Sequence, residues 1–126
     1  MDRNFKNHYD DFPELDASIE KDIVIRANRP LIDILLSNLL NNSIIHNVPQ
    51  GKIEISLSEN QFIIKNTGTA PGSDPKQLFE RFKKGSHQTK TTGLGLALVK
   101  QICSLYHYSI SYHFSEGWHS LELTFR

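Results

Sequence analysis

Residues 30–47, PLIDILLSNLLNNSIIHN, set how the rest of the chain is read. Leu31, Leu35, Asn38, Asn42 and His46 follow one another at steps of four, three, four and four. At about 3.6 residues per turn these side chains share roughly a quarter of a helix's circumference, so they lie on one face. That face begins as leucine and ends as amide and imidazole. Asn is a poor residue for a helix interior because its side chain competes for backbone hydrogen bonds, yet Asn38, Asn41, Asn42 and Asn47 crowd the second half. A buried amide needs partners. An inward-facing Asn38 and Asn42 therefore require neighbouring polar groups, ordered water, or a polar ligand with its metal.

Working outward, the chain of 126 residues is long enough for one compact domain and short for two. Fourteen basic and fourteen acidic residues cancel, which argues against a duplex nucleic-acid binder. The single cysteine, Cys103, leaves no internal disulfide and no Cys-rich zinc pattern, and fits a reducing compartment. Its neighbours Val99, Ile102 and Tyr106 suggest a thiol packed inside a helix. No apolar run reaches the length that spans a bilayer, and Met1 is followed by charged and polar residues, so the segment is expected to be soluble without membrane contact of its own.

Residues 1–13 carry no defensible period and read as a linker or the remnant of a preceding helix, leaving 14–126 as the domain. Leu15, Ala17 and Ile19 alternate with polar residues, and Ile23, Val24 and Ile25 follow a polar turn, which predicts two short strands. Asn28 is placed to cap the long helix, with Pro30 in its first turn. After the turn residues Val48 to Gly51, Ile53, Ile55 and Leu57 alternate, and Gln61 to Lys65 form a second strand ending at Asn66, Thr67 and Gly68. A polar excursion then runs to Thr92. Within it Asp74, Pro75 and Gln77 have the order of a capping box and open a short helix through Leu78, Phe79 and Phe82, while 86–92 lack an apolar anchor and are expected to be mobile unless a bound group orders them. Gly93 to Tyr106 is a helix with a broad apolar face, and Ile110, Tyr112, Phe114 and Leu121, Leu123, Phe125 form a hairpin. The sum is an α/β fold: a two-layer α/β sandwich with helices on one face of a mixed, mostly antiparallel sheet.

A glycine-rich turn opening a helix offers free N–H groups and the positive end of a dipole, with no side chain to block a phosphate. Gly93 and Gly95 provide this, although close packing of a helix explains two glycines equally well. No Gly-Lys-Ser or Gly-Lys-Thr follows them, and no dinucleotide fingerprint is present.

Taken together, the Asn38 to Asn42 segment (NLLNN), the turn at Asn66 to Gly68, the Phe79 to Phe82 segment and the TGLGLALV stretch from Thr92 resemble, in order, the ATP-binding catalytic domain of bacterial sensor histidine kinases. The resemblance covers Asn28 to Arg126 and implies the Bergerat variety of the sandwich, with a long ATP lid. It also implies ATP and Mg2+ as the bound groups. On it, Asn42 matches the magnesium-coordinating Asn, with Asn38 a turn earlier and His46 a turn later. Asn66 stands where the family usually carries the Asp that accepts from the adenine amino group, and Gly68 is the first glycine of that turn. Phe79, Phe82 and Lys84 match the lid, and Thr92, Gly93, Leu94, Gly95 and Leu96 match the turn that wraps the phosphates. The sequence departs from the family at Ile45, usually a Lys or Arg near the phosphates, and at Ala70 and Thr91, usually glycines.

Members of the wider superfamily that hydrolyse ATP carry a Glu base one turn before the metal Asn; here that position is Asn38, which cannot take a proton from water. A kinase needs no such base, because phosphoryl transfer is chiefly positioning and charge stabilisation. None of His8, His46, His87, His107, His113 and His119 lies in a stretch resembling the family's acceptor motif. The resemblance thus implies partners: phosphoacceptor and dimerisation helices of the same kinase, a response regulator, a homodimeric full-length protein, and a cytoplasmic place within a membrane-anchored sensor. Two other readings stand beside it at this point: a degenerate nucleotide-binding or protein-interaction domain without phosphotransfer, and a serine kinase of the anti-sigma type.

Overall fold

The computed structural model describes residues 13–71 and 92–125. Among these residues five strands form one sheet: β1 (Glu14–Ile19), β2 (Lys52–Leu57), β3 (Gln61–Thr67), β4 (Ser109–Ser115) and β5 (Trp118–Thr124), in the order β1-β2-β3-β5-β4. Two described helices, α1 (Arg29–Ile45) and α2 (Thr92–Leu105), cover one face. Only β1 and β2 run parallel, and α1 makes the crossover between them; the other three pairs are antiparallel. The expected mixed, mostly antiparallel sheet with helices on one side is the fold observed. The expected linker through residue 12, the short helix at 75–82 and the stretch 86–91 lie outside the described residues.

Register turns the strand alternation into three rows of side chains under the helices. One row is Ile19, Leu57, Phe62, Leu123 and Ile110; the next is Ala17, Ile55, Ile64, Leu121 and Tyr112. The third reads Leu15, Ile53, Asn66, His119 and Phe114, so polarity enters the inner face at one end of the sheet. Above the apolar rows lie Leu35 and Leu39 of α1 and Leu96, Val99, Ile102 and Cys103 of α2, all buried. Each such aliphatic side chain contributes about 1.5–3 kcal/mol by leaving water. Leu39→Ala would cost about 2–5 kcal/mol because rigid neighbours cannot collapse into the gap.

The helix ends follow from local chemistry. Asn28 Oδ1 accepts from Leu31 N at 3.1 Å, and Pro30 sits in the first turn, where it forfeits no helical bond. The Asn28 N–H donates to Tyr106 Oη at 2.8 Å, tying the start of α1 to the last residues after α2. α1 stops at Ile45, with His46 as its C-cap. α2 ends in a Schellman arrangement, with Tyr108 N to Cys103 O at 2.8 Å and His107 N to Ser104 O at 3.2 Å, which puts His107 at φ 61. Glu116 and Gly117, both at positive φ, close the β4–β5 hairpin as a two-residue turn.

One expectation is corrected. Ile23 to Ile25 do not form a strand. The sheet's last bond on this side is Glu20 N to Leu57 O at 3.0 Å; Lys21 and Asp22, the latter at φ 61, then turn the chain out of the sheet before Ile23. Its apolar content is divided instead: Ile25 packs against the core while Val24 is 88% exposed. β1 itself is exposed throughout, Leu15 at 57% and Ile19 at 62%, because the described helices lie over the middle of the sheet.

Candidate functional site

The polar end of the sheet is where the singled-out residues meet. Asn66, at the end of β3, is only 3% exposed. Its Nδ2 donates to Thr67 O at 2.9 Å, which orients the amide and leaves Oδ1, among the described residues, as an acceptor without a donor. The next residues are locked from both sides. Thr67 Oγ1 donates to Asn47 Oδ1 at 2.6 Å and accepts from Lys52 N at 2.8 Å. Asn47 Nδ2 in turn donates to Lys52 O at 3.0 Å and Ser43 O at 3.3 Å, so the C-terminal end of α1, the start of β2 and the end of β3 share one amide.

Gly68 lies between two walls. A Cβ placed there would stand 2.7 Å from His119 Cδ2, 2.8 Å from His119 Nε2 and 2.9 Å from the His46 carbonyl oxygen, closer than real side chains come. Glycine is required by this double contact. Gly68 N also donates to Gly117 O at 3.0 Å, which binds the turn to the β4–β5 hairpin. Burial, chiefly, and the neighbouring His119 charge hold the His46 imidazole below its ordinary 6.5. Burial also lowers His119, against the opposing effect of its hydrogen bond to Thr69 O.

The amide stripe of α1 runs from this turn to the start of α2. The wholly buried line of α1 is Leu35, Leu39 and Ser43, with Ser43 Oγ satisfied by Leu40 O at 2.7 Å. Asn38 and Asn42 flank it and are half-buried. Among the described residues neither side-chain amide makes a hydrogen bond, although each stays open to solvent. Asn38 faces the first turn of α2: its Oδ1 lies 3.3 Å from where a Gly95 Cβ would be. Thr92, Gly93, Leu94, Gly95 and Leu96 form that first turn, whose leading N–H groups have no intrahelical acceptor. Leu96 is 3% exposed in the core, so only its backbone is available to a ligand. His46 is the cap that follows Asn42 by one turn and presents its carbonyl to Gly68. Ile45 is exposed. Phe79, Phe82 and Lys84 lie outside the described residues.

The geometry thus joins three elements: an amide-bearing helix, a glycine turn with an oriented acceptor beside it, and a helix N-terminus with small residues. Unpartnered amide oxygens suit a hard cation, and free N–H groups suit anionic oxygens. The family model for the histidine kinase-, DNA gyrase B- and HSP90-like ATPases matches residues 27–125. The chain belongs to this family. Membership in this ATPase family supports ATP as the nucleotide. Among curated relatives, the heme sensor protein HssS of Staphylococcus aureus strain Newman is 36% identical over 111 residues, covering 76% of this chain and 24% of the relative. HssS of Staphylococcus epidermidis is 33% identical over 95 residues, covering 72% of the chain and 21% of the relative. The chain therefore spans about a fifth to a quarter of the length of these relatives. Among solved structures, the catalytic domain of histidine kinase ThkA superposes with a TM-score of 0.78 at 22% identity, covering 96% of this chain and 82% of that one. A mycobacterial sensor histidine kinase, MprB, gives 0.75 at 16% identity, with coverage of 97% and 87%. These likenesses agree on the fold.

The residues that pattern reading missed are Asn47, Thr67, Tyr112 and His119. A signal existed for one of them. His119 is two residues before the inward Leu121 in an alternating strand, so its ring had to point under the helices.

Proposed function

We propose that this chain is the ATP-binding catalytic module of a sensor histidine kinase, which presents the γ-phosphate of Mg-ATP to a histidine on a separate dimerisation domain. The observation that carries the reading is the placement of Asn38 and Asn42: two amides that make no hydrogen bond among the described residues, between the Asn66 to Gly68 turn and the first turn of α2. The Staphylococcus relatives named as sensors support the same direction.

In this reading Asn42 supplies an amide oxygen to Mg2+, and Asn38 lines the same face beside the phosphates. Mg2+ held there would neutralise phosphate charge. The backbone of Thr92 to Leu96 donates to phosphate oxygens, and the glycines allow the close approach. Asn66 Oδ1 accepts from the adenine amino group, while Gly68 lets the backbone come near the base. Phe79, Phe82 and Lys84 belong to the lid, and His46 closes the site beside Gly68. Asn38 cannot act as a base toward water, so hydrolysis is slow and the phosphoryl group is kept for the acceptor. The partners are the phosphoacceptor and dimerisation helices of the same kinase and a response regulator, within a homodimeric, membrane-anchored sensor whose catalytic part lies in the cytoplasm.

Calorimetric titration with a non-hydrolysable ATP analogue tests this, with and without Mg2+, beside Asn42→Ala. Binding that needs both the metal and Asn42 is expected. A folded wild-type domain that binds no nucleotide would overturn the reading and favour an interaction module of the same fold.

A further inference from the structure

We propose that His119, backed by Tyr112, is a positioning residue for the nucleotide base: from the inner face of the neighbouring strand β5 it straps the Gly68 to Thr69 turn. This rests on the nucleotide reading above. His119 Nε2 lies 2.7 Å from Thr69 O, and Tyr112 Oη lies 2.6 Å from His119 Nδ1. A carbonyl oxygen can only accept, so Nε2 carries the proton, and neutral His119 must then accept at Nδ1 from the Tyr112 hydroxyl. The chain of bonds therefore has one direction: Tyr112 O–H to His119, His119 N–H to Thr69 O.

Each link is fixed by the sheet. Tyr112 is diagonal to His119 across the β4–β5 pair, and the rings lie 5.8 Å apart at 28°. Phe114, directly opposite His119, closes the other side with its ring 4.7 Å away. The imidazole has little freedom to leave. Its Cδ2 and Nε2 edge lies against Gly68, and His119 is also the register partner of Asn66. The ring thus sets the height of the turn that follows the base-reading amide, without touching the proposed phosphate end at α2.

That separation gives the strap a signature that mere support of the fold does not have. Asn66 Oδ1 accepts from the amino group of adenine but faces the carbonyl of hypoxanthine unfavourably. Loss of the strap should therefore weaken ATP more than ITP. The experiment titrates the chain with non-hydrolysable ATP and ITP analogues, with Mg2+, in the wild type, His119→Leu, His119→Gln and Tyr112→Phe. His119→Leu, which keeps apolar bulk but no donor, is expected to lose about tenfold for the ATP analogue and less than about threefold for the ITP analogue. His119→Gln, whose amide can still donate to Thr69 O, is expected to stay within about threefold of wild type for both analogues, and Tyr112→Phe to lose about threefold for ATP alone. Unchanged preference for ATP in folded His119→Leu overturns the proposal. If His119→Leu does not fold, unchanged preference in Tyr112→Phe overturns it. A wild type that binds neither analogue removes the nucleotide reading and the strap together, whereas a wild type that binds with indifferent variants removes the strap alone.

Discussion

Thr67 Oγ1 donates to Asn47 Oδ1 at 2.6 Å, across 20 positions of sequence, and this contact joins the end of the amide helix to the strand that carries Asn66. Gly51 sits so close that a Cβ there would overlap both Asn47 Oδ1 and Thr67 Oγ1. We expect Gly51→Ala and Asn47→Ala each to destabilise the domain by about 1–3 kcal/mol, since each leaves enclosed polar groups unpaired. Both remove the same lock, so the double variant should fall short of the sum by about 1 kcal/mol. Denaturant unfolding of the four proteins checks this; strict additivity would show that the two residues act separately.

Gly95→Ala should separate stability from binding. Alanine in a helix gains about 0.5–1 kcal/mol over glycine, and the nearest described neighbour of the new methyl is the Asn38 side chain, 3.3 Å away at Oδ1. A half-buried amide can move by a few tenths of an ångström. The melting temperature is expected to hold or rise, while affinity for the Mg-bound ATP analogue falls about tenfold as Asn38 shifts and the approach to α2 narrows. A matching loss of both would point to a packing fault.

The pH dependence follows from His46 and His119, both held below the ordinary 6.5. At pH values above 6.5 both are neutral in the folded and unfolded chain, so their contribution is fully present. As pH drops below 6.5 the unfolded chain takes up protons that the folded one refuses, and stability declines until the folded values are reached. Thermal melts from pH 8 to pH 5 should show this loss, and His119→Gln should flatten it. A melting temperature that rose on acidification would contradict the direction.

Ile45 is exposed at the end of α1, so Ile45→Lys should cost less than about 0.5 kcal/mol, and a cation there also suits the C-terminal end of the helix dipole. Its effect belongs to binding. Affinity for the Mg-bound ATP analogue is expected to rise about three- to tenfold at low salt and less at high salt. No change would mean that this chain gathers phosphate charge without that cation.

His107 holds φ 61 at the end of α2, a conformation that costs a non-glycine residue about 1 kcal/mol. His107→Gly should stabilise the domain by roughly 0.5–1 kcal/mol, read as a higher denaturant midpoint at unchanged slope.

The sequence made the architecture legible because its periods are clean. The alternation in β2, β4 and β5 translates into one inward face, and the 3.6-residue stripe of α1 lies beside the wholly buried line Leu35, Leu39 and Ser43, with Leu31, Asn38 and Asn42 half-buried and His46 exposed. Ile23 to Ile25 misled because an apolar run says that residues are buried, not what they pair with, and the turn at Lys21 and Asp22 carries them out of the sheet. Asn38 and Asn42 stood out because they break the apolar period. Asn47 reads only as one more amide at the end of the helix, and Thr67 and Tyr112 do not stand out, since the bonds that join Asn47 to Thr67 and Tyr112 to His119 span 20 and 7 positions and nothing local marks a hydrogen bond that forms only when the sheet closes.

The position of β3 has a temporal consequence. Its neighbours are β2, made shortly before it, and β5, made some fifty residues later, and the turn after Asn66 takes a bond from each side: Lys52 N to Thr67, and Gly68 N to Gly117 O. During synthesis the base end of the site therefore cannot mature when its own residues emerge. It must wait for the chain to return through α2 and β4, so β5 completes a turn made some fifty residues before it, and a ribosome stalled before β5 would hold a nascent domain with all of its amides and no formed turn to read a base.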